Sequence, residues 1–277
     1  MFELGASYYS GCAIPFEQFL SFSRDLGIKY VEVQMEHPFI PSEIGPGDLM
    51  DIEALFSSFR ISPLIHGPIH DSNLSSLKES MRRASVEFVF ECVDFARTIG
   101  APHVVIHAGT CPSDQIHSMF DHALASFKMS LSSIAAYASE RGIRIGIENG
   151  PASKNRSTVL VPQDHLKFVK EFEDLGVAAV LDIGHAHTAG LDLAVYATTL
   201  DKSLIELHVH DNSGDSDDHL RLGDGNVPFK PFLKTVGSLG FVGPVVLELH
   251  TKEHLADGVA FLRAQEKLVT EPSLVVQ

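Results

Sequence analysis

The sequence predicts a single (β/α)8 barrel. Three observations lead there: a length of 277 residues, short apolar runs alternating with longer amphipathic segments from end to end, and eight such runs in all. One barrel takes about 250 residues, and this alternation is the pattern of βα units around a parallel sheet. Residues 1–270 are assigned to the barrel and 271–277 to a C-terminal tail.

The expected strands are Phe2–Ala6, Tyr30–Gln34, Ser62–His66, His103–His107, Arg144–Glu148, Ala179–Asp182, Ile205–His208 and Val245–Glu248. Several, such as HVVIH and PVVLEL, are continuous apolar runs, as strands buried on both faces should be. The expected helices are Pro15–Leu26, Asp48–Phe59, Leu77–Ile99, Asp114–Arg141, Pro162–Leu175, Leu193–Leu200, Lys230–Leu239 and Lys252–Leu268. Gly27, Gly100, Gly142, Gly176 and Gly240 follow five of these, where a helix C-cap belongs.

Composition narrows the classes of function. The formal charge is −15, from 21 Lys+Arg against 36 Asp+Glu, with no dense basic run. A nucleic-acid backbone normally calls for a clustered basic surface, so nucleic acid is possible but disfavoured as a partner. Cys12, Cys92 and Cys111 are odd in number and widely spaced, which argues against a disulfide framework. No run approaches the roughly 20 apolar residues that cross a bilayer. The opening MFELGASYYSG carries no secretory signal pattern, so the default expectation is cytoplasmic. Histidine is the unusual residue, at 15 copies.

The chemistry is carried by where the polar residues fall. From the third strand onward the strands end in His66, His107, Glu148, Asp182, His208 and Glu248. In a closed parallel barrel all strand C-termini meet at one mouth, where barrel active sites lie. Facing imidazoles and carboxylates suit divalent cations such as Zn, Mn or Co; without an ion, the carboxylates would repel one another. His185, in DIGH, and Asp217 and His219, in DSDDHLRLGDG, add three loop candidates, so one to three ions per chain could be held.

Each residue alone has a plainer reading. A lone strand-end His is more often a satisfied hydrogen-bonding group, Glu248 could pair with a Lys, and Asp182 could cap the next helix. His70, His103, His117, His122, His165 and His254 are placed in that plain class. Six such groups at six successive strand ends are what chance does not supply. His210 alternates with His208 and would point away from the barrel interior if the strand continued; in a loop it would touch substrate instead. Glu32, on the second strand, and Arg221 are further substrate-binding candidates. Gly223-Asp224-Gly225 reads either as a phosphate-cradling turn or as an ordinary loop.

On the segments LDIGHAH, HVHDNSGDSDDHLRLGDG and VVLELH, the chain resembles the xylose isomerase-like TIM barrel superfamily, from the third strand to the eighth. That superfamily holds sugar and sugar-phosphate isomerases and epimerases and the endonuclease IV family of repair enzymes. The epimerase resemblance implies one divalent ion on Glu148, Asp182, His208 and Glu248, with the two glutamates exchanging protons with substrate and His185 contacting it. The Arg that these epimerases place shortly after the His ligand has no match at that spacing, and Arg221 lies further along.

The endonuclease IV resemblance implies three zinc ions. His66, His107 and Glu148 would hold one; Glu148 would bridge to a second on Asp182, His208 and Glu248; His185, Asp217 and His219 would hold the third. The flanking segments depart from the repair enzymes: the first His opens HGPIHD, where those enzymes follow it with a Tyr and an Asn; DIGH replaces DTCH; and the segment after the seventh strand is compact.

The expectation is therefore a metal-dependent sugar or sugar-phosphate isomerase or epimerase that moves a proton beside a metal-polarised carbonyl. The alternative is a zinc phosphodiesterase acting on abasic-site DNA or a smaller phosphoester. Sugar identity, its phosphorylation, the native metal and the oligomeric state are not fixed by the sequence.

Overall fold

The computed structural model of the protein describes residues 2–112, 117–153 and 155–270. Its strands are β1 (Glu3–Tyr8), β2 (Tyr30–Gln34), β3 (Ser62–His66), β4 (His103–His107), β5 (Thr110–Pro112), β6 (Arg144–Glu148), β7 (Asn155–Ser157), β8 (Val177–Asp182), β9 (Leu204–Val209) and β10 (Pro244–Leu247). Its helices are α1 (Phe16–Asp25), α2 (Pro46–Phe59), α3 (Glu79–Ile99), α4 (His117–Ser139), α5 (Pro162–Glu171), α6 (Ile183–Thr188), α7 (Leu193–Leu200), α8 (Phe229–Ser238) and α9 (Lys252–Thr270). Eight strands close a barrel in the order β1-β10-β9-β8-β6-β4-β3-β2, while β5 and β7 pair antiparallel outside it. The expected fold class is the observed one.

The register brings the polar strand ends together. His107 lies opposite Glu148 across β4 and β6, and Asp182 lies opposite His208 across β8 and β9. Neighbouring strands run about 4.8 Å apart, so these side chains leave the barrel as adjacent pairs. Between barrel and helices sits the apolar core; Phe127 meets Phe168 edge-on at 4.9 Å, and Tyr8, Phe16, Phe39 and Phe56 form a second aromatic group. No helix among the described residues is long and apolar enough to cross a membrane.

Local signals placed the boundaries well. Of the five expected helices that a Gly follows, four end within two residues of the expected position; Gly100, at φ 80°, closes α3 in the left-handed conformation a C-cap requires. The differences have local causes. The segment expected as one helix from Pro162 to Leu175 breaks after Glu171 into a separate 3-10 turn, Glu173–Leu175. The β5–β7 ribbon and α6 were not anticipated, because three-residue strands and a six-residue helix are too short for periodicity to register. The expected start of the fourth helix at Asp114 and the tail 271–277 lie outside the described residues.

His165 bears out its plain reading. It is fully buried, its Nε2 lies 2.8 Å from the Ile147 carbonyl and its Nδ1 3.2 Å from the Tyr196 hydroxyl. Burial pulls its pKa down to about 4, so the ring is a neutral hydrogen-bonding wedge in the core.

Candidate functional site

At the C-terminal end of the barrel lies a cavity of about 800 Å³, with His66, His107, Glu148, His185, Asp217, His219 and Glu248 in its wall. Tyr9, Gln34, Glu36, His70, Val159 and His250 are among the other lining residues, and no Lys or Arg is among the described ones. Glu36 braces one side: its Oε1 accepts from the backbone N–H of Ile69 and of His70, both at 2.8 Å.

Glu148, 1% exposed, is the hub. Its Oε2 lies 3.0 Å from His66 Nε2 and 3.2 Å from His107 Nε2, while Oε1 lies 3.2 Å from His185 Nδ1 and 3.4 Å from His208 Nδ1. Burial pushes its pKa up, but the imidazoles of His107 and His208 outweigh that and hold it well below the carboxylate range. His208 Nδ1 is also 3.2 Å from Glu248 Oε1.

Asp182 is the helix cap that its plainer reading offered. Its Oδ1 caps α6 by accepting from His185 N at 2.5 Å, and its buried Oδ2 has no hydrogen-bond partner. Asn149 clamps the backbone of Asp182 from both sides, accepting from its N–H at 3.0 Å and donating to its carbonyl at 2.9 Å.

The histidines share one pattern of hydrogen bonding. The Nδ1 of His66 lies 2.8 Å from the Gly67 carbonyl, that of His185 2.8 Å from the Asn149 carbonyl, and that of His219 3.2 Å from the Glu248 carbonyl. A carbonyl only accepts, so each Nδ1 carries the proton. In the neutral ring Nε2 is then a lone pair, and each Nε2 faces a carboxylate: His66 faces Glu148, and His185 and His219 face Asp217 at 3.1 and 3.5 Å. His208 shows the reverse arrangement, with Nε2 bonded to Glu206 at 3.3 Å and Nδ1 without a hydrogen-bond partner.

The electrostatics match this crowding of acceptors. Burial lowers the pKa of His66 and His219, but the surrounding carboxylates raise each to about 9; His185 and His208 are held well above the usual value by the same opposition. Asp217 is driven well down, burial being overcome by His185 and His219. His107 goes the other way, to about 4, because burial there outweighs the attraction of Glu148. The pocket as a whole favours positive charge at its centre.

Five overlapping groups of ligand-type atoms result among the described residues: Glu32, Glu206 and His208; His66, Glu148 and His208; Glu148, Asp182 and His185; Asp182, His208 and Glu248; and His185, His210, Asp217 and His219. His210 belongs to the last because β9 ends at Val209, so alternation no longer governs it. Its Nε2 lies 3.3 Å from Asp182 and 3.2 Å from Asp217, and its ring stacks on His219 at 3.9 Å. A Cβ on Gly184 would stand 2.0 Å from that ring, so only glycine admits it.

The substrate-binding candidates fare differently. Glu32 is fully buried beneath the cavity, 3.4 Å from His208 Nε2. Arg221 is turned to the outer surface, where Asp224 holds it at 2.9 and 3.0 Å and Asp257 at 3.1 Å. The GDG turn is an ordinary structural loop: the N–H groups of Gly223 and Gly225 are already taken by the Asp211 carboxylate at 2.8 and 3.0 Å. Of the histidines set aside, His70 lines the cavity and His103 bonds to Glu206; the side chain of His117 lies outside those described. His250, Asn149, Glu206 and Asp211 carry roles that sequence reasoning missed. Alternation along LIELHV was the available signal for Glu206, placing it on the same face as His208.

The model of the family described as xylose isomerase-like TIM barrel matches residues 20–265. The uncharacterized protein MJ1311 of Methanocaldococcus jannaschii is 28% identical over 210 residues, which are 74% of this chain and 70% of that protein. The fructoselysine 3-epimerase of Shigella flexneri is 23% identical over 247 residues, 86% of each chain. Among solved structures, a D-tagatose 3-epimerase-like protein superposes with a TM-score of 0.85 at 24% identity, covering 97% of this chain and 98% of its own. At that identity the superposition speaks for the fold alone.

Proposed function

The chain belongs to the xylose isomerase-like TIM barrel family, and from that premise we propose that it is a divalent-metal-dependent sugar isomerase or epimerase. Epimerase names among its relatives support the reaction class. The observation that carries the metal is the Nδ1–H-to-carbonyl bonding of His66, His185 and His219, which turns all three Nε2 atoms inward on the carboxylates of Glu148 and Asp217. Metal-ligating histidines are held in this way. The unpartnered atoms Asp182 Oδ2, His208 Nδ1 and His210 Nε2 fit the same requirement, since buried polar atoms without partners are costly.

Glu148, Asp182, His208 and Glu248 would hold the first ion. When bound, a divalent ion supplies Lewis-acid polarisation of a substrate carbonyl and so acidifies the neighbouring C–H. Glu148 and Glu248 both line the cavity, and one takes that proton while the other returns one. Tyr9, whose pKa burial raises to about 12, stays a phenol and can donate to a sugar hydroxyl. A cavity without Lys or Arg among its described lining residues favours a small polyol.

The test is incubation with ketoses and ketose phosphates in deuterated water, with Mn2+, Co2+ or Zn2+ supplied. Deuterium should enter the carbon next to the carbonyl; a broad panel with no incorporation overturns the reading.

A hydrolase is the second reading, and the group His185, His210, Asp217 and His219 is what favours it, because a single ion on Glu148, Asp182, His208 and Glu248 leaves this second ligand-type group without one. Elemental analysis of unchelated protein separates the two: about one ion per chain is expected for the epimerase, and three for a phosphodiesterase. Removing the metal with a chelator should abolish either activity and its return should restore it. Cleavage of abasic-site duplex or a simple phosphodiester by the three-ion form would establish the second reading.

A further inference from the structure

Beneath the mouth, the barrel interior holds a polar layer where such barrels ordinarily pack branched apolar side chains. Glu32 on β2, Glu206 and His208 on β9 and His103 on β4 are all buried there. Glu206 Oε1 lies 3.3 Å from His208 Nε2, and Glu206 Oε2 is hydrogen-bonded to His103 Nε2. Glu32 approaches the same His208 nitrogen at 3.4 Å, and neither of its oxygens has a hydrogen-bond partner. Replacing buried ion pairs by apolar residues is often neutral or stabilising, so stability alone is a weak reason for such a layer.

His208 is the point at which the layer meets the mouth. One nitrogen faces Glu206 and Glu32 below; the other faces Glu148 and Glu248 above, at 3.4 and 3.2 Å. A carboxylate below can only accept, so it holds a proton on Nε2, and Nδ1, which has no hydrogen-bond partner, is the nitrogen left to an ion at the mouth. His103 holds the far oxygen of Glu206 and so limits its rotation. Resting on the metal reading above, we infer that Glu206, anchored by His103, is a positioning residue that fixes His208 as its Nε2–H tautomer and thereby selects Nδ1 as the metal-binding atom. His66, His185 and His219 use backbone carbonyls for this purpose; His208 uses a buried side chain, so its orientation can be altered by substitution.

The experiment is a Co2+ titration of the full chain, read from visible absorption, beside long-range 15N–1H NMR of the His208 ring. In the unmodified Zn2+-loaded chain the proton should reside on Nε2. Glu206→Leu should weaken Co2+ binding by about 10- to 100-fold and alter the absorption band, and Glu206→Gln, which keeps an acceptor, should recover most of the loss. Unchanged Co2+ affinity in a folded Glu206→Leu chain overturns the inference while leaving the metal reading in place. A His208 proton on Nδ1 in the unmodified chain also overturns it, and needs no variant to fold. An unmodified chain that binds no Co2+ removes the metal reading itself, and this inference with it.

Discussion

Glu148→Gln is expected to lower the rate of carbon-bound proton exchange by at least about 10²- to 10⁴-fold, the range lost when a positioned acid–base group is removed. Two effects act together. The variant loses a proton acceptor in the cavity wall, and it loses the negative charge around which His66, His107, His185 and His208 are arranged. Gln is nearly isosteric, so packing of a side chain that is 1% exposed is preserved. Its amide nitrogen, however, would face an imidazole nitrogen at close range, and bound metal should fall as well. Deuterium incorporation and metal content measured on the same preparation separate these effects. Exchange at the unmodified rate would falsify the placement of Glu148 at the reacting centre.

How far the sequence disclosed this site can be judged residue by residue. Strand ends were legible because HVVIH, IGIE and VLD are apolar runs that stop at one polar group, and parallel closure then forces those groups together. His210 was harder, since alternation predicts an outward ring only while the strand lasts, and β9 stops one residue earlier. Arg221 looked close to the site because it follows His219 by two residues. His219 has a positive φ of 47°, and the chain turns there so that Arg221 reaches Asp224 and Asp257 on the surface. Glu206 and Glu32 alternate correctly with their neighbours, yet nothing local distinguishes an inward carboxylate beneath a site from one lining it. That distinction depends on height within the barrel, which the closed register sets.

Asp211 was invisible for a different reason: its partners are backbone N–H groups, three of them 12 to 16 residues along the chain, and backbone leaves no trace in residue type. Oδ1 accepts from Asn212 N at 2.9 Å and Val227 N at 3.1 Å, and Oδ2 from Gly223 N at 2.8 Å and Gly225 N at 3.0 Å. The residue is 1% exposed, so water does not replace it. Asp211→Ala is therefore expected to destabilise the fold by about 3–5 kcal/mol, since each unmet N–H costs about 1–3 kcal/mol and the losses are only partly additive. Asp211→Asn keeps one accepting oxygen and should lose roughly half as much. Hydrogen exchange should quicken first at the amides of Gly223, Gly225 and Val227, ahead of global unfolding. The same segment carries Asp217 and His219, so loosening it disperses the group around His185 while Glu148, Asp182, His208 and Glu248 stay on their strands and at their ends. Metal analysis of a folded Asp211→Asn chain should then show the strand-end ion retained, whether or not the loop group of the unmodified chain holds an ion of its own. Unfolding and amide exchange identical to the unmodified protein would mean that this loop is held by something other than the Asp211 carboxylate.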